Sequence, residues 1–136
     1  MLLKSKTFPF LVTLSILVFY LVSSHAYLVR RDLATGTKIV TNFNNLGGSI
    51  TFTKLDTGGT GLDGRFTKGI TDSIAKNYVL KIDQLDFAFP NIRIRVTPPG
   101  TDTFTPAFPV LFDSFVGKQV QVLHNNQVID QATITL

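Results

Sequence analysis

The stretch FVGKQVQVLHNNQVIDQATITL, residues 115–136, carries the signals of a β-hairpin. Val120 and Val122 alternate with Gln119 and Gln121, so one side of the segment is apolar and the other polar, the pattern of a half-buried strand. Asn125-Asn126 suits a two-residue turn, because such turns need positive φ and asparagine tolerates it better than most residues. Pairing about that turn sets Val122 opposite Ile129. The later apolar residues Ala132, Ile134 and Leu136 have switched parity, so a β-bulge near Asp130-Gln131 is expected to reconcile the two halves. His124 closes the first strand beside the turn and is read as a structural or surface residue.

The same alternation recurs upstream. TKIVTNF (37–43) is a first strand, closed by Asn44, Asn45, Gly47 and Gly48. SITFTK (49–54) sets Ile50 and Phe52 on one face and Ser49, Thr51 and Thr53 on the other. LDTGGTGLDG (55–64) reads as a glycine-rich turn region, followed by a short run around Arg65–Thr67 and a turn at GITD (69–72). NYVLKID (77–83) groups Tyr78, Leu80 and Ile82. NIRIRVT (91–97) gives the clearest alternation, with Ile92, Ile94 and Val96 inward and Arg93 and Arg95 outward. Residues 101–117, rich in Pro and Phe, read as a long connection between sheets with one helical turn near VLFDSFVG (110–117). About seven or eight short strands separated by turn residues predict an all-β fold, an antiparallel Greek-key sandwich or flattened barrel.

Composition agrees with that class. Every acidic residue is Asp and none is Glu, a bias toward turns and away from helices. There is no cysteine, so stability rests on apolar burial, to which the nine phenylalanines of residues 27–136 contribute.

The N-terminus reads as an export signal. Lys4 and Lys6 precede a fifteen-residue apolar run, Phe8–Val22, and Ser24 and Ala26 fit the small-residue rule for cleavage after Ala26. As a helix the run reaches roughly 22 Å, short of the roughly 30 Å hydrocarbon core of a bilayer. A cleaved secretory signal over 1–26 is therefore expected, with no stable membrane anchor afterwards. Residues 27–36 are expected to be a flexible arm carrying a dibasic processing site at Arg30-Arg31, and 37–136 the sandwich domain. The full chain carries +4, yet residues 32–136 hold nine basic and nine acidic side chains. The basicity lies mostly in the disposable end and gives no warrant for a nucleic-acid partner.

Few residues carry chemistry. Asp56-Thr57-Gly58 has the form of an aspartic-protease triplet, and a chain of this size could pair two copies by dimerising, but Lys54-Leu55 before it and Gly59 after it depart from that family, and Asp-Thr-Gly-Gly is what a hairpin turn looks like. Asp56, Asp63, Asp72 and Asp102 read as solvated turn aspartates, since no calcium loop surrounds them. Arg93 and Arg95, with Lys81 on a neighbouring strand, could bind a sulfated glycan or phosphate. Phe87, Phe104 and Phe108 fall in Pro-broken connections, where an aromatic side chain can line a ligand or partner patch as well as plug the sandwich. The binding candidates are thus Phe87, Phe104, Phe108, Arg93 and Arg95; no catalytic residue, metal or cofactor is expected.

SFVGKQVQVLH (114–124) resembles the C-terminal run of copper/zinc superoxide dismutases that ends in a copper-binding histidine. GRFTKGITD (64–72) is similar to the strand and turn that precede the metal-binding strand of that family, and GGSITFTK (47–54) to an early strand. In order, the likeness spans most of residues 47–135. It implies the family's sandwich. The departures imply that the reaction is missing. Lys81-Ile82-Asp83 stands where the family has a His-x-His pair, the following loop holds no histidine, and the chain turns at Asn125-Asn126 where the family has a long loop with a catalytic arginine. A copper or zinc site needs three or four well-placed donors. The expected function is that of a secreted, non-catalytic module binding an extracellular protein or glycan. The alternatives are a small apolar-ligand binder and a dimeric aspartic-type hydrolase using Asp56.

Overall fold

Alternating apolar residues build two sheets in a computed structural model that describes residues 32–136. The expected signal peptide and Arg30-Arg31 lie outside these residues. The first sheet has the order β1-β2-β3-β8, from strands Lys38–Phe43 (β1), Gly48–Lys54 (β2), Thr60–Arg65 (β3) and Ala107–Phe108 (β8). The second has the order β10-β9-β4-β5, from Tyr78–Ile82 (β4), Leu85–Ala88 (β5), Gln119–His124 (β9) and Gln127–Thr133 (β10). All neighbours are antiparallel. A small hairpin, Val96–Thr97 (β6) with Gly100–Thr101 (β7), lies in the connection that carries the chain from β5 back to β8. The chain thus crosses between sheets after β3, after β5 and after β8. This is the all-β antiparallel sandwich that the strand pattern predicts, and without cysteine it holds no disulfide.

The core is what alternation dictates. Ile39 and Phe43 of β1, Ile50 and Phe52 of β2, Tyr78, Leu80 and Ile82 of β4, and Val120 and Val122 of β9 are buried in one cluster. Burying one such side chain stabilises by about 1.5–3 kcal/mol. The connections add aromatic rings. Phe66 meets Phe43 edge-on at 5.4 Å and lies 5.7 Å from Phe104. Phe115 meets Phe52 edge-on at 6.4 Å. Lys54 and Asp113, 3.0 Å apart, tie the turn Phe112–Ser114 to the end of β2.

The C-terminal hairpin turns at Asn125 and Asn126, with φ of 49° and 65°. Its bulge falls one residue earlier than expected: Leu123 pairs with Val128, but Val122 pairs with Asp130, leaving Ile129 as the extra residue. The shift turns Asp130 inward. There its carboxylate accepts the backbone N–H groups of Asn45 and Leu46 at 2.8 and 3.0 Å, clasping the β1–β2 turn against β10.

Three expectations need correction. The glycine-rich region is not all turn, because Thr60–Arg65 forms β3, paired with β2 along its whole length. Its Gly64 is required by close approach. A Cβ there would lie 2.8 Å from the Phe104 ring and 2.9 Å from the Ser49 carbonyl oxygen. NIRIRVT is not a strand. It begins in the 3-10 turn Phe89–Ile92, and its strand residues are Val96–Thr97 alone. The burial alternation still holds, with Ile92 and Ile94 buried and Arg93 and Arg95 exposed. Of the arm expected over 27–36, residues 27–31 lie outside the described range. The rest is tied down: Leu33 packs on the core and Gly36 N–H donates to the Lys54 carbonyl. Among the described residues no helix is long and apolar enough to cross a membrane.

Candidate functional site

One flank of the sandwich closes over β1 and β10. On the other, the edge strands β5 and β8 contribute Phe87, Ala107 and Phe108 to the wall of a cleft of about 580 Å³. A two-residue turn starting at Asp83, φ 54°, folds β5 back onto β4 and delivers Phe87 to this edge. Phe87 stacks on Phe108 of β8, with ring centroids 4.4 Å apart and planes 18° from parallel, joining the two sheets. Upstream of β8, Phe104 exchanges backbone hydrogen bonds with Gly64, and the Leu62 N–H donates to the Pro106 carbonyl. The segment therefore runs extended beside β3. It buries Phe104 and exposes Thr103 and Thr105, which line the cleft.

The third wall comes from the turn Phe89–Ile92. Proline at its second position restricts entry, and the turn ends in two bonds, Ile94 N–H to Phe89 C=O and Arg93 N–H to Pro90 C=O. That pairing requires the intervening residue to be left-handed, and the residue is Arg93, with φ 57°. Glycine, or less often asparagine, normally occupies such a position, since a side chain such as arginine costs about 1–2 kcal/mol there. The ending presents Arg93 and Asn91 at the cleft.

Phe87, Phe104, Phe108 and Arg93 are therefore brought together, although Phe104 and Phe108 expose only 3% and 7% of their surface. Arg95 is not in this cleft. It shares a second cleft, of about 630 Å³, with Arg93, Thr97 and Asp102. The stripe expected on one strand face does not form, because Arg93 and Arg95 do not lie on a strand and Lys81, paired with Asp86 at 3.7 Å, belongs to neither cleft. Neither arginine has an ion-pair partner among the described residues. Asn91, Thr103 and Thr105 escape sequence reading, since nothing local marks them as neighbours.

The other chemical candidates sit elsewhere. Asp56 lies in the exposed β2–β3 turn, where its Oδ1 accepts the Thr57 N–H at 2.8 Å. His124 packs on Tyr78, and its Nε2 lies 3.2 Å from Asp72 Oδ2. Asp72 also accepts hydrogen bonds from the Asn77 amide and the Ile74 N–H. These bonds, the Asn77 one foremost, hold its carboxyl below the usual carboxylate range. Among the described residues no group of three or more His, Asp or Glu side chains is placed to hold a metal ion. The donor set around His124, one imidazole with one carboxylate that is already bonded by an amide and a backbone N–H, does not fit a copper or zinc centre. No family model, curated protein or solved structure matches the chain.

Proposed function

We propose that the chain is a secreted, non-catalytic β-sandwich, akin to the superoxide dismutases in architecture alone, that acts as an extracellular binding module through the cleft between β5 and β8. The observation that carries this reading is the convergence of Phe87, Phe104, Phe108 and Arg93, from three separate segments, on one concave surface. A few well-placed polar groups over an aromatic base are the usual make-up of a ligand site. Export rests on the leader read from residues 1–26. The kinship rests on the sequence likeness of residues 47–135, and it brings no reaction with it, because residues 27–136 contain one histidine and no cysteine.

A second reading, a pocket for a small apolar molecule, draws on the stacked Phe87–Phe108 pair. It leaves Arg93 and the threonines without a task.

The test is to express the full chain in secretory cells, weigh the protein recovered from the medium, and screen it on glycan and matrix-protein arrays beside Phe87→Ser. A mass starting at Tyr27 or Asp32, with at least one ligand lost on Phe87→Ser, is the expected result. Retention inside the cells, or ligands indifferent to Phe87, would contradict it.

A further inference from the structure

Building on the binding role proposed above, we propose that the β5–β8 cleft takes an acidic saccharide, with a sugar ring against Phe87 and its carboxylate or sulfate on Arg93. The lining contains one charged side chain, Arg93, which it shares with the neighbouring cleft, and no carboxylate, so the charge on its own wall is positive. The neighbouring cleft differs in this respect, because Asp102 lies there beside the arginines. A guanidinium meets a carboxylate or sulfate through paired, charge-assisted hydrogen bonds.

The uncharged part of the lining narrows the class further. Asn91, Thr103 and Thr105 are exposed at the cleft, and their side chains have no hydrogen-bond partner among the described residues. Each can both donate and accept, as vicinal sugar hydroxyls also do. A wholly apolar guest would strip water from these groups and give nothing in return. Phe87, half-buried and backed by Phe108, gives a fixed apolar platform of the size of a sugar ring. The cleft volume lies within the range of small-molecule sites, about 300–1,000 Å³.

The backbone at Arg93 supplies an independent argument. The left-handed position that ends the Phe89–Ile92 turn would be held more cheaply by glycine, yet arginine occupies it. Strain kept at a concave surface fits a side chain retained for a ligand. Stability and binding at this residue must then move in opposite directions.

The experiment is calorimetric titration of the secreted protein with a galacturonic-acid tetrasaccharide, a heparin-derived sulfated tetrasaccharide and neutral maltotetraose, with thermal melts of each variant. At least one acidic probe should bind about tenfold or more tightly than maltotetraose; which one binds tells carboxylate from sulfate. Arg93→Gly should raise Tm by about 4 °C while weakening the acidic probe about tenfold to a hundredfold. Arg93→Asn, which also tolerates the backbone, should weaken it equally. Phe87→Ser should weaken every saccharide that binds. The proposal is overturned if no acidic probe binds at millimolar concentration, if Arg93→Gly binds as well as the parent, or if it melts lower. Binding of a fluorescent apolar probe displaced by neither acidic saccharide would sink the saccharide and leave the cleft as a site. Saccharide binding untouched by the Phe87 and Arg93 variants would sink both.

Discussion

His124 lies against Tyr78, ring centroids 4.5 Å apart and planes 15° from parallel, and its cross-strand partner in the β4–β9 register is that same tyrosine. Tyr78 in turn stacks on Phe89, and its hydroxyl accepts the Asp72 N–H at 2.9 Å. The last histidine of the chain is thus the end of a ring stack, held to the loop before β4 by the Asp72 carboxylate.

Acid should loosen that anchor. The Asp72 carboxyl titrates below its unfolded value when folded, so its contribution is fully present above about pH 3.9 and is lost as pH falls through the lowered folded value. Asp72→Asn should lower the urea midpoint at pH 7, and the gap from the parent should shrink below about pH 4. Denaturant titrations at pH 7 and pH 3 check this; an undiminished gap at low pH is the contrary result.

Asp130 should matter more than a surface carboxylate. Truncation by Asp130→Ala strands the buried N–H of Leu46 and the part-buried N–H of Asn45, and leaving a buried donor unpaired costs about 1–3 kcal/mol. Chemical denaturation of the variant measures the loss, and hydrogen exchange should show the extra opening in residues 44–47.

Gly64 should resist any side chain. Gly64→Ala places a methyl group against the Phe104 ring and the Ser49 carbonyl, with an expected loss of about 1–3 kcal/mol. Combining it with Phe104→Leu should recover part of the loss, and a double-mutant cycle reads the coupling. Strict additivity would show that the ring is not the obstacle.

The Asn125-Asn126 turn can be improved. Asn126→Gly relieves the cost of φ 65° and should stabilise by about 0.5 kcal/mol, whereas Asn126→Val should destabilise by about 1 kcal/mol or more. Melting of the two variants in parallel gives the sign.

The hairpin of residues 115–136 was legible because both its signals are local: alternation fixes the faces and two asparagines fix the turn. β3 was hidden because Gly61 and Gly64 suppress strand propensity, while its pairing comes from β2 and its glycine from contact with Phe104, remote in sequence. NIRIRVT misled for a related reason. Buried Ile92 and Ile94 around exposed Arg93 give the alternation of a strand, but a left-handed turn ending produces it here. At the cleft, the phenylalanines stood out by their proline-broken surroundings and Arg93 by its charge on the outward side of the alternation. Asn91, Thr103 and Thr105 did not, since only the crossing from β5 to β8 brings them together.

Amide chemical-shift mapping of the isotope-labelled protein during titration with the acidic tetrasaccharides decides whether the ligand sits at the mouth between the sheets. Perturbations confined to residues 87–93 and 103–108, saturating with one ligand per chain, are expected. Perturbations centred on His124 and the Asp72 loop, or none at all, would contradict that placement.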